Sequence, residues 1–299
     1  MLRILTALAA LLLFVGTTQA DPAPSWLLRL PETTPTVFIA ETSASAFHRF
    51  DRTETGVTAT RQDYMSIGLG GVGKEHEGDQ RTPVGVYFVT ERLDTTRLHE
   101  KYGPMAFPLD YPNAWDRRLG RTGDGIWVHG VDANGGVRPR RDTDGCISLP
   151  NNILSELEPA FLPNVTPVLI ATEMKWSDQA AIDERRIDLE AAVESWRVSL
   201  QRGDMYSWLE LYDDSFEHRG MNKAAWSTFS VETLGRREIT IVDISDLMLL
   251  GDPGEEGLFL SRFRLEVSEK GGRQVHTMRR IHWRRSESGA YRIVAEDSG

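Results

Sequence analysis

The sequence of 299 residues predicts two domains, a mostly β domain followed by an α+β domain in which helices precede an antiparallel sheet. Before residue 172, short apolar runs alternate with glycine-rich turns, as in β-sandwiches and barrels. From Ser177 onward, apolar residues recur at helical spacing, and long strand-like runs follow. We therefore expect the first domain at 36–172 and the second at 177–299.

Composition narrows the class of protein. The formal net charge is −10, and 40% of the residues are hydrophobic. A nucleic-acid-binding domain would need a basic face, so the acidic balance argues against that class. The apolar content is sufficient for a real core.

The first twenty residues resemble a cleavable signal peptide. Arg3 provides a positive start, the apolar run 4–15 follows, and Thr18 and Ala20 supply small residues at the cleavage positions. The run is too short to span a bilayer, although an uncleaved membrane anchor is the alternative. We expect export to the periplasm, cleavage after Ala20 and no membrane span in the mature chain.

Residues 21–90 are predicted to form a linker followed by short strands. Residues 21–35 are rich in proline, which is typical of a linker. Short strands are expected at 36–40, 46–50, 64–69 and 84–90. The turn 70–78 holds four glycines with Lys74 and His76, but it lacks the ending of a phosphate-binding loop. A solvated charged turn is favoured over a metal site there, and we expect no metal or cofactor.

The candidate catalytic residues lie between Gly125 and Asn152. A strand-like run ends at His129, and a turn rich in small and polar residues holds Cys146, the single cysteine of the chain. A thiolate is a strong nucleophile, and a nearby imidazole is the usual means of forming one. A lone cysteine is more often a small buried hydrophobe, but a polar turn is a poor place for one.

This stretch resembles the catalytic motif of the L,D-transpeptidase (YkuD-type) family, in which His-Gly precedes Ser/Thr-x-Gly-Cys-Ile/Val. The resemblance covers roughly residues 36–171. Three further landmarks stand upstream in the family's order: Ser66-Ile-Gly-Leu-Gly70, Gly78-Asp-Gln-Arg-Thr-Pro-Val-Gly-Val-Tyr87 and Ala106-Phe-Pro-Leu-Asp-Tyr-Pro-Asn113.

The resemblance implies the roles of the central residues. The substrate would be the stem peptide of peptidoglycan, cut between diaminopimelate and a terminal D-alanine. Cys146 would be the nucleophile, His129 the proton carrier, and the carbonyl of Gly130 would orient the imidazole. The amides of Gly145 and Cys146 are the expected oxyanion donors.

The sequence departs from the commonest family form at two positions. Asp144 stands where that form often has histidine, and Ser148 where it often has arginine. We expect both residues to contact substrate, together with three arginines in the preceding loop: Arg138, Arg140 and Arg141. The amino-acid sequence of the motif more closely resembles that of the branch that includes cell-shape L,D-carboxypeptidases. This resemblance favours hydrolysis slightly over transfer.

The second domain begins with a predicted amphipathic helix whose apolar face holds Ile182, Leu189, Val193, Trp196 and Leu200. Gly203 is expected to end it, Asp204 to cap a second helix, and a third helix to span 224–234. Strands are expected at 238–250, 257–269, 273–285 and 290–296.

This order resembles the nuclear-transport-factor-like cone, in which aromatic residues often line a pocket. The residues that could do so are Trp196, Trp208, Tyr212, Phe216, Trp226 and Trp283, although aromatic residues at helical spacing are more often core. We expect this unit to position substrate.

Two other functions remain open. A catalytically decayed cell-wall-binding protein would explain the departures at Asp144 and Ser148, although the presence of both His129 and Cys146 argues against it. A redox-sensing thiol would normally need a second, resolving cysteine.

Overall fold

A computed structural model describes residues 22–54, 56–133 and 136–298, with the side chain of residue 97 left out. The expected signal peptide, 1–20, lies outside the described residues. Within those residues, no helix is both long enough and apolar enough to cross a membrane.

The first half consists mostly of short strands. They are β1 (Ala23–Pro24), β2 (Leu27–Arg29), β3 (Thr36–Glu41), β4 (Ala46–Thr53), β5 (Gly56–Tyr64), β6 (Ile67–Gly68), β7 (Gly85–Phe88), β8 (Leu93–Asp94), β9 (Met105–Pro108), β10 (Trp127–His129), β11 (Arg141–Thr143), β12 (Ile147–Ser148) and β13 (Pro167–Ala171). Its helices are α1 (Ala114–Arg118) and α2 (Asn151–Leu157), with 3-10 turns at Thr95–Arg97, Glu100–Tyr102 and Glu158–Ala160.

Two sheets enclose the core of this half. One has the order β5-β4-β3-β13-β7 and the other the order β12-β10-β9-β8. Phe38 and Val168 from the first sheet belong to the same buried cluster as Phe107, Val128 and Ile147 from the second. This packing fixes β10 and β12, the two strands that carry the candidate site.

The second half has the predicted order, helices before an antiparallel sheet. Its elements are β14 (Trp176–Ser177), α3 (Gln179–Arg202), α4 (Met205–Glu210), β15 (Glu217–His218), β16 (Met221–Asn222), α5 (Lys223–Thr233), β17 (Ile239–Gly251), β18 (Leu258–Glu269), β19 (Gln274–Arg285) and β20 (Tyr291–Asp297). Gly203 ends α3 with a φ of 64°, and the side chain of Asp204 caps α4, as expected.

The segment predicted as a linker is instead part of the fold. Strand β1 pairs with β14, and β2 joins the C-terminal sheet at its edge beside β17. Trp26 and Leu27 are buried. Proline is tolerated on edge strands, so the proline-rich composition did not prevent pairing with strands far along the chain.

The two halves share a hydrophobic core. The face of the five-stranded sheet that carries Val37, Ile39 and Leu169 belongs to one buried cluster with Met248 and Leu250 of β17. Arg280 of β19 also forms ion pairs with Asp110 in the first half and, at 2.8 Å, with Asp297. Both observations indicate that the halves are packed together rather than merely tethered. The exact domain boundaries stay a prediction.

Candidate active site

Strand pairing brings the two central residues together. Strands β10 and β12 are parallel neighbours, and Val128 and His129 lie opposite Ile147 and Ser148. Cys146 comes directly before β12, so the loop between His129 and Cys146 closes onto adjacent strands. The site is built on the rigid edge of a packed sheet, which suits catalysis.

His129 is held in one orientation. Its Nδ1 lies 2.6 Å from the carbonyl oxygen of Gly130, and a carbonyl can only accept, so Nδ1 carries the proton. The other ring nitrogen, Nε2, is then the basic one in the neutral imidazole. His129 is 2% exposed, and this burial lowers its pKa to about 4, although the hydrogen bond to Gly130 acts in the opposite direction.

Cys146 is also buried. Its thiol donates to the carbonyl oxygen of Gly125 at 3.3 Å. Burial raises the pKa of the Cys146 thiol to about 11, and a backbone hydrogen bond from Trp127 lowers it only in part. Both shifts favour the uncharged forms of the two groups at neutral pH. This differs from the preformed thiolate that the motif suggested.

The turn before Cys146 is tightly constrained. Gly145 has a φ of 125°, and a Cβ there would lie 2.9 Å from the carbonyl oxygen of Arg81. The hydroxyl of Thr82 donates to the Gly145 carbonyl at 2.9 Å. The Gly145 amide donates to the hydroxyl of Thr143 at 3.2 Å, which in turn donates to the Cys146 carbonyl. The Gly145 amide thus has another partner, and the oxyanion role we retain is that of the Cys146 amide.

Residues 75–78 of the charged turn are exposed, as expected, but Lys74 is buried and supports this arrangement. Lys74 and Asp79 form an ion pair of 2.8 Å with both side chains 4% exposed. Asp79 also accepts the amide of Arg81 at 3.0 Å. The pair therefore fixes the backbone that presents Arg81 and Thr82 to the cysteine loop. In the described part of the chain, no cluster of three or more His, Cys, Asp or Glu residues is placed to hold a metal ion.

Two of the three predicted substrate-binding arginines are engaged within the protein. Arg138 donates to the carbonyl of Lys101 at 2.8 Å and to that of Asp142 at 3.1 Å. Arg140 donates to the carbonyl of Thr42 at 2.9 Å and to that of Ser43. These contacts hold loops, because a guanidinium with several donors satisfies carbonyls that strands do not use. Arg141 is exposed on β11 and stays a predicted binding residue.

The structure adds residues that the sequence did not indicate. Lys101 forms an ion pair of 2.9 Å with Asp144, and Gln80 donates to the same carboxylate at 3.3 Å. The Tyr102 ring lies edge-on to the His129 ring, with centroids 5.2 Å apart. Gln80 and Thr82 lay within a quoted landmark, whereas Lys101 and Tyr102 had no recognisable signal.

Ser148 is a positioning residue in this geometry. It is 2% exposed, and its hydroxyl donates at 3.0 Å to the Gly130 carbonyl, the group that also accepts from His129. We had expected it to contact substrate. Its burial and its hydrogen bond instead make it a support for the Gly130 carbonyl, the acceptor that orients His129.

Replacing Ser148 with alanine should lower kcat by about two- to tenfold, the worth of one neutral hydrogen bond, with KM nearly unchanged. Steady-state kinetics on a stem-peptide substrate would measure both constants. Ser155→Ala, which removes an exposed hydroxyl bonded to the Asn151 carbonyl at 2.9 Å, is the matched control. A raised KM with normal kcat would restore the original substrate-binding role for Ser148.

Comparisons with known proteins support the fold. The structure of Bd1075 from Bdellovibrio bacteriovorus is similar over 93% of this chain and 99% of that chain, with 25% identity and a TM-score of 0.76. The helical cell shape determining protein Pgp2 from Campylobacter jejuni is similar over 88% and 91%, with 23% identity and a TM-score of 0.75. No curated protein sequence matched.

The family model for the L,D-transpeptidase catalytic domain (YkuD) matches residues 43–170. This range includes the sheet edge formed by β10 and β12, with the supporting turn and the cysteine loop. Residues 43–170 of this chain are an L,D-transpeptidase catalytic domain, and they hold both His129 and Cys146.

Proposed function

We propose that this chain is a peptidoglycan-modifying cysteine enzyme that attacks the bond between diaminopimelate and D-alanine in stem tetrapeptides. The observation that carries the proposal is the oriented imidazole of His129 on the strand adjacent to Cys146, within a catalytic domain of this family. The tautomer set by Gly130 makes Nε2 a base, which a neutral thiol requires.

The reaction would proceed through an acyl-enzyme. Sγ of Cys146 adds to the diaminopimelate carbonyl while Nε2 of His129 takes the thiol proton. The Cys146 amide stabilises the oxyanion. The intermediate collapses to a thioester, and the imidazolium gives its proton to the departing amine of D-alanine. Water or an amine, deprotonated by Nε2, then attacks the thioester and regenerates the thiol.

Hydrolysis is the favoured outcome. A transpeptidase must hold an acceptor peptide in line and exclude water, whereas a carboxypeptidase needs only an open site. The basic loop was the one sequence feature that favoured an acceptor site. Because Arg138 and Arg140 are engaged with backbone carbonyls, that support is reduced to Arg141. The similarity to Pgp2, a helical cell shape determining protein, is compatible with trimming of stem peptides.

We expect purified enzyme and tetrapeptide muropeptides to give tripeptides and free D-alanine in equal amounts, because each thioester hydrolysed releases one D-alanine. Mass spectrometry would identify the muropeptides, and an amino-acid assay would quantify D-alanine. A dominant product joined through two diaminopimelates would replace hydrolysis by transfer while preserving the role of Cys146. Absence of any product would reject the enzymatic proposal.

A cell-wall-binding role is the second function to test, because the C-terminal half contains a cavity of about 550 Å³. Three of the aromatic residues expected at a pocket line it, namely Trp196, Trp208 and Trp226. The other three, Tyr212, Phe216 and Trp283, are buried in the surrounding core. We propose that this half positions substrate for the catalytic domain, as expected from the change to helical patterning at Ser177.

We also propose that the protein acts in the periplasm. The family's peptidoglycan substrate lies outside the cytoplasm, and the first twenty residues have the pattern of an export signal.

A further inference from the structure

The substrate of the proposed reaction carries a negative charge close to the scissile bond. D-alanine is the last residue of the tetrapeptide, so its α-carboxylate lies one residue beyond the carbonyl that Cys146 attacks. A site that recognises this end of the peptide should offer a cation near the cysteine. Arg138 and Arg140 do not meet this need, because their guanidinium groups are bound to carbonyls of the protein.

Lys101 is in a suitable place. It lies in the 3-10 turn Glu100–Tyr102, and its ammonium sits 5.1 Å from the centroid of the Tyr102 ring. That ring packs against two residues of β10, with centroids 4.8 Å from the Trp127 ring and 5.2 Å from the His129 ring. The Lys101 charge is close enough to lower the pKa of both Cys146 and His129, although burial is the larger influence on each.

The partner of Lys101 is also beside the nucleophile. Asp144 stands two residues before Cys146, and its carboxylate lies 2.9 Å from the Lys101 ammonium. The two side chains are 39% and 65% exposed. Ion pairs this accessible contribute little net free energy because water solvates both charges. A substrate carboxylate can therefore replace Asp144 at small cost, and Asp144 has a second donor in Gln80, at 3.3 Å.

We propose that Lys101 binds the terminal α-carboxylate of the stem peptide and that Asp144 is its counter-ion in the empty enzyme. This assignment rests on the proposed function and specifies how that site selects a peptide ending in a free carboxylate. It also gives Asp144 a role, since an exchangeable counter-ion keeps the ammonium over Tyr102 until substrate arrives.

The test compares two substrates that differ only in the charge in question, a tetrapeptide with a free C-terminal D-alanine and the same peptide ending in D-alaninamide. For Lys101→Met, the ratio of kcat/KM for the acid to that for the amide should fall about tenfold relative to the parent, the worth of one charge-assisted hydrogen bond. Taking the ratio cancels any effect of Lys101 on Cys146 or His129, because both substrates experience it equally.

Three further variants make the comparison specific. Lys270→Met, which breaks an exposed lysine–glutamate pair of 2.8 Å in the C-terminal half, should leave the ratio at the parent value. Asp144→Asn should lower KM for the acid, since a competing anion is removed. Arg141→Met tests the exposed arginine that stays a predicted binding residue for an acceptor, and since the ratio reports only the D-alanine carboxylate, it should stay at the parent value.

The outcomes separate this proposal from the proposed function. If the parent enzyme cleaves neither peptide, the proposed function fails. If the parent cleaves the acid but Lys101→Met reduces cleavage of both peptides equally, only the carboxylate-binding role of Lys101 fails. An acid-specific loss in Arg141→Met instead would move the subsite to Arg141. A rise in KM for Asp144→Asn would overturn the counter-ion role.

Discussion

Replacing Cys146 with alanine should abolish turnover of tetrapeptide muropeptides, with kcat at least about a thousandfold below that of the parent enzyme. Cys146 is the only cysteine in the sequence, so no other thiol can form the acyl-enzyme. Product release measured by mass spectrometry over long incubations would set the residual rate. Intact-protein mass spectrometry of the parent should also capture the thioester, which the variant cannot form.

The variant should remain folded. The substitution removes one buried sulfur atom, which costs on the order of 1 kcal/mol of unfolding free energy in a core. Circular dichroism and thermal melting would check this. Cys146→Ser is the matched control, because its hydroxyl can still donate to the Gly125 carbonyl yet is a far weaker nucleophile. A folded Cys146→Ala protein with near-normal turnover would exclude the cysteine mechanism and favour another nucleophile.

The motif allowed Cys146 and His129 to be predicted from the sequence because both lie in one short, chemically distinctive stretch. The alternation of apolar runs with turns likewise predicted the β-rich first half, and the helical spacing from Ser177 predicted α3. These features are encoded locally, by periodicity and by glycine or capping residues.

Features that depend on distant partners were not predictable in this way. Residues 21–35 were predicted to be a linker because they are rich in proline. Nothing local indicates that β2 pairs with β17, which lies more than two hundred residues further along the chain. The sequence of the basic loop shows its positive charge. It does not show that the guanidinium groups of Arg138 and Arg140 donate hydrogen bonds to backbone carbonyls of the protein. Lys101 reaches the site through tertiary packing, so its sequence context resembles that of any surface lysine.

The motif also could not predict how deeply Cys146 and His129 are buried. A cysteine beside a histidine suggested a preformed thiolate, yet burial raises the pKa of the Cys146 thiol to about 11 and lowers that of His129 to about 4. In a low-dielectric site, both neutral forms are favoured over the ion pair. Proton transfer is therefore expected to accompany attack on the substrate, which makes the basic Nε2 of His129 essential.

Replacing His129 with alanine should accordingly lower kcat by about 10²- to 10⁴-fold, the usual contribution of a general base. The reason is that the neutral Cys146 thiol loses the group that takes its proton. The parent protein needs His129 uncharged, so its activity should be lost as the pH falls through about 4, where the imidazole becomes protonated. Between pH 6 and 9 the parent's kcat/KM should change little.

The variant should show a different pH dependence. Without a base, its residual rate depends on the thiolate fraction, which grows tenfold per pH unit below the thiol pKa of about 11. Measuring kcat/KM from pH 5 to 10 would distinguish the two profiles, and Cys146 alkylation by iodoacetamide over the same range would follow the thiolate directly. His48→Ala is a suitable control, since His48 lies on β4 and pairs with Glu41 at 3.0 Å. Equal rates and the same flat profile for His129→Ala and the parent would remove His129 from the mechanism.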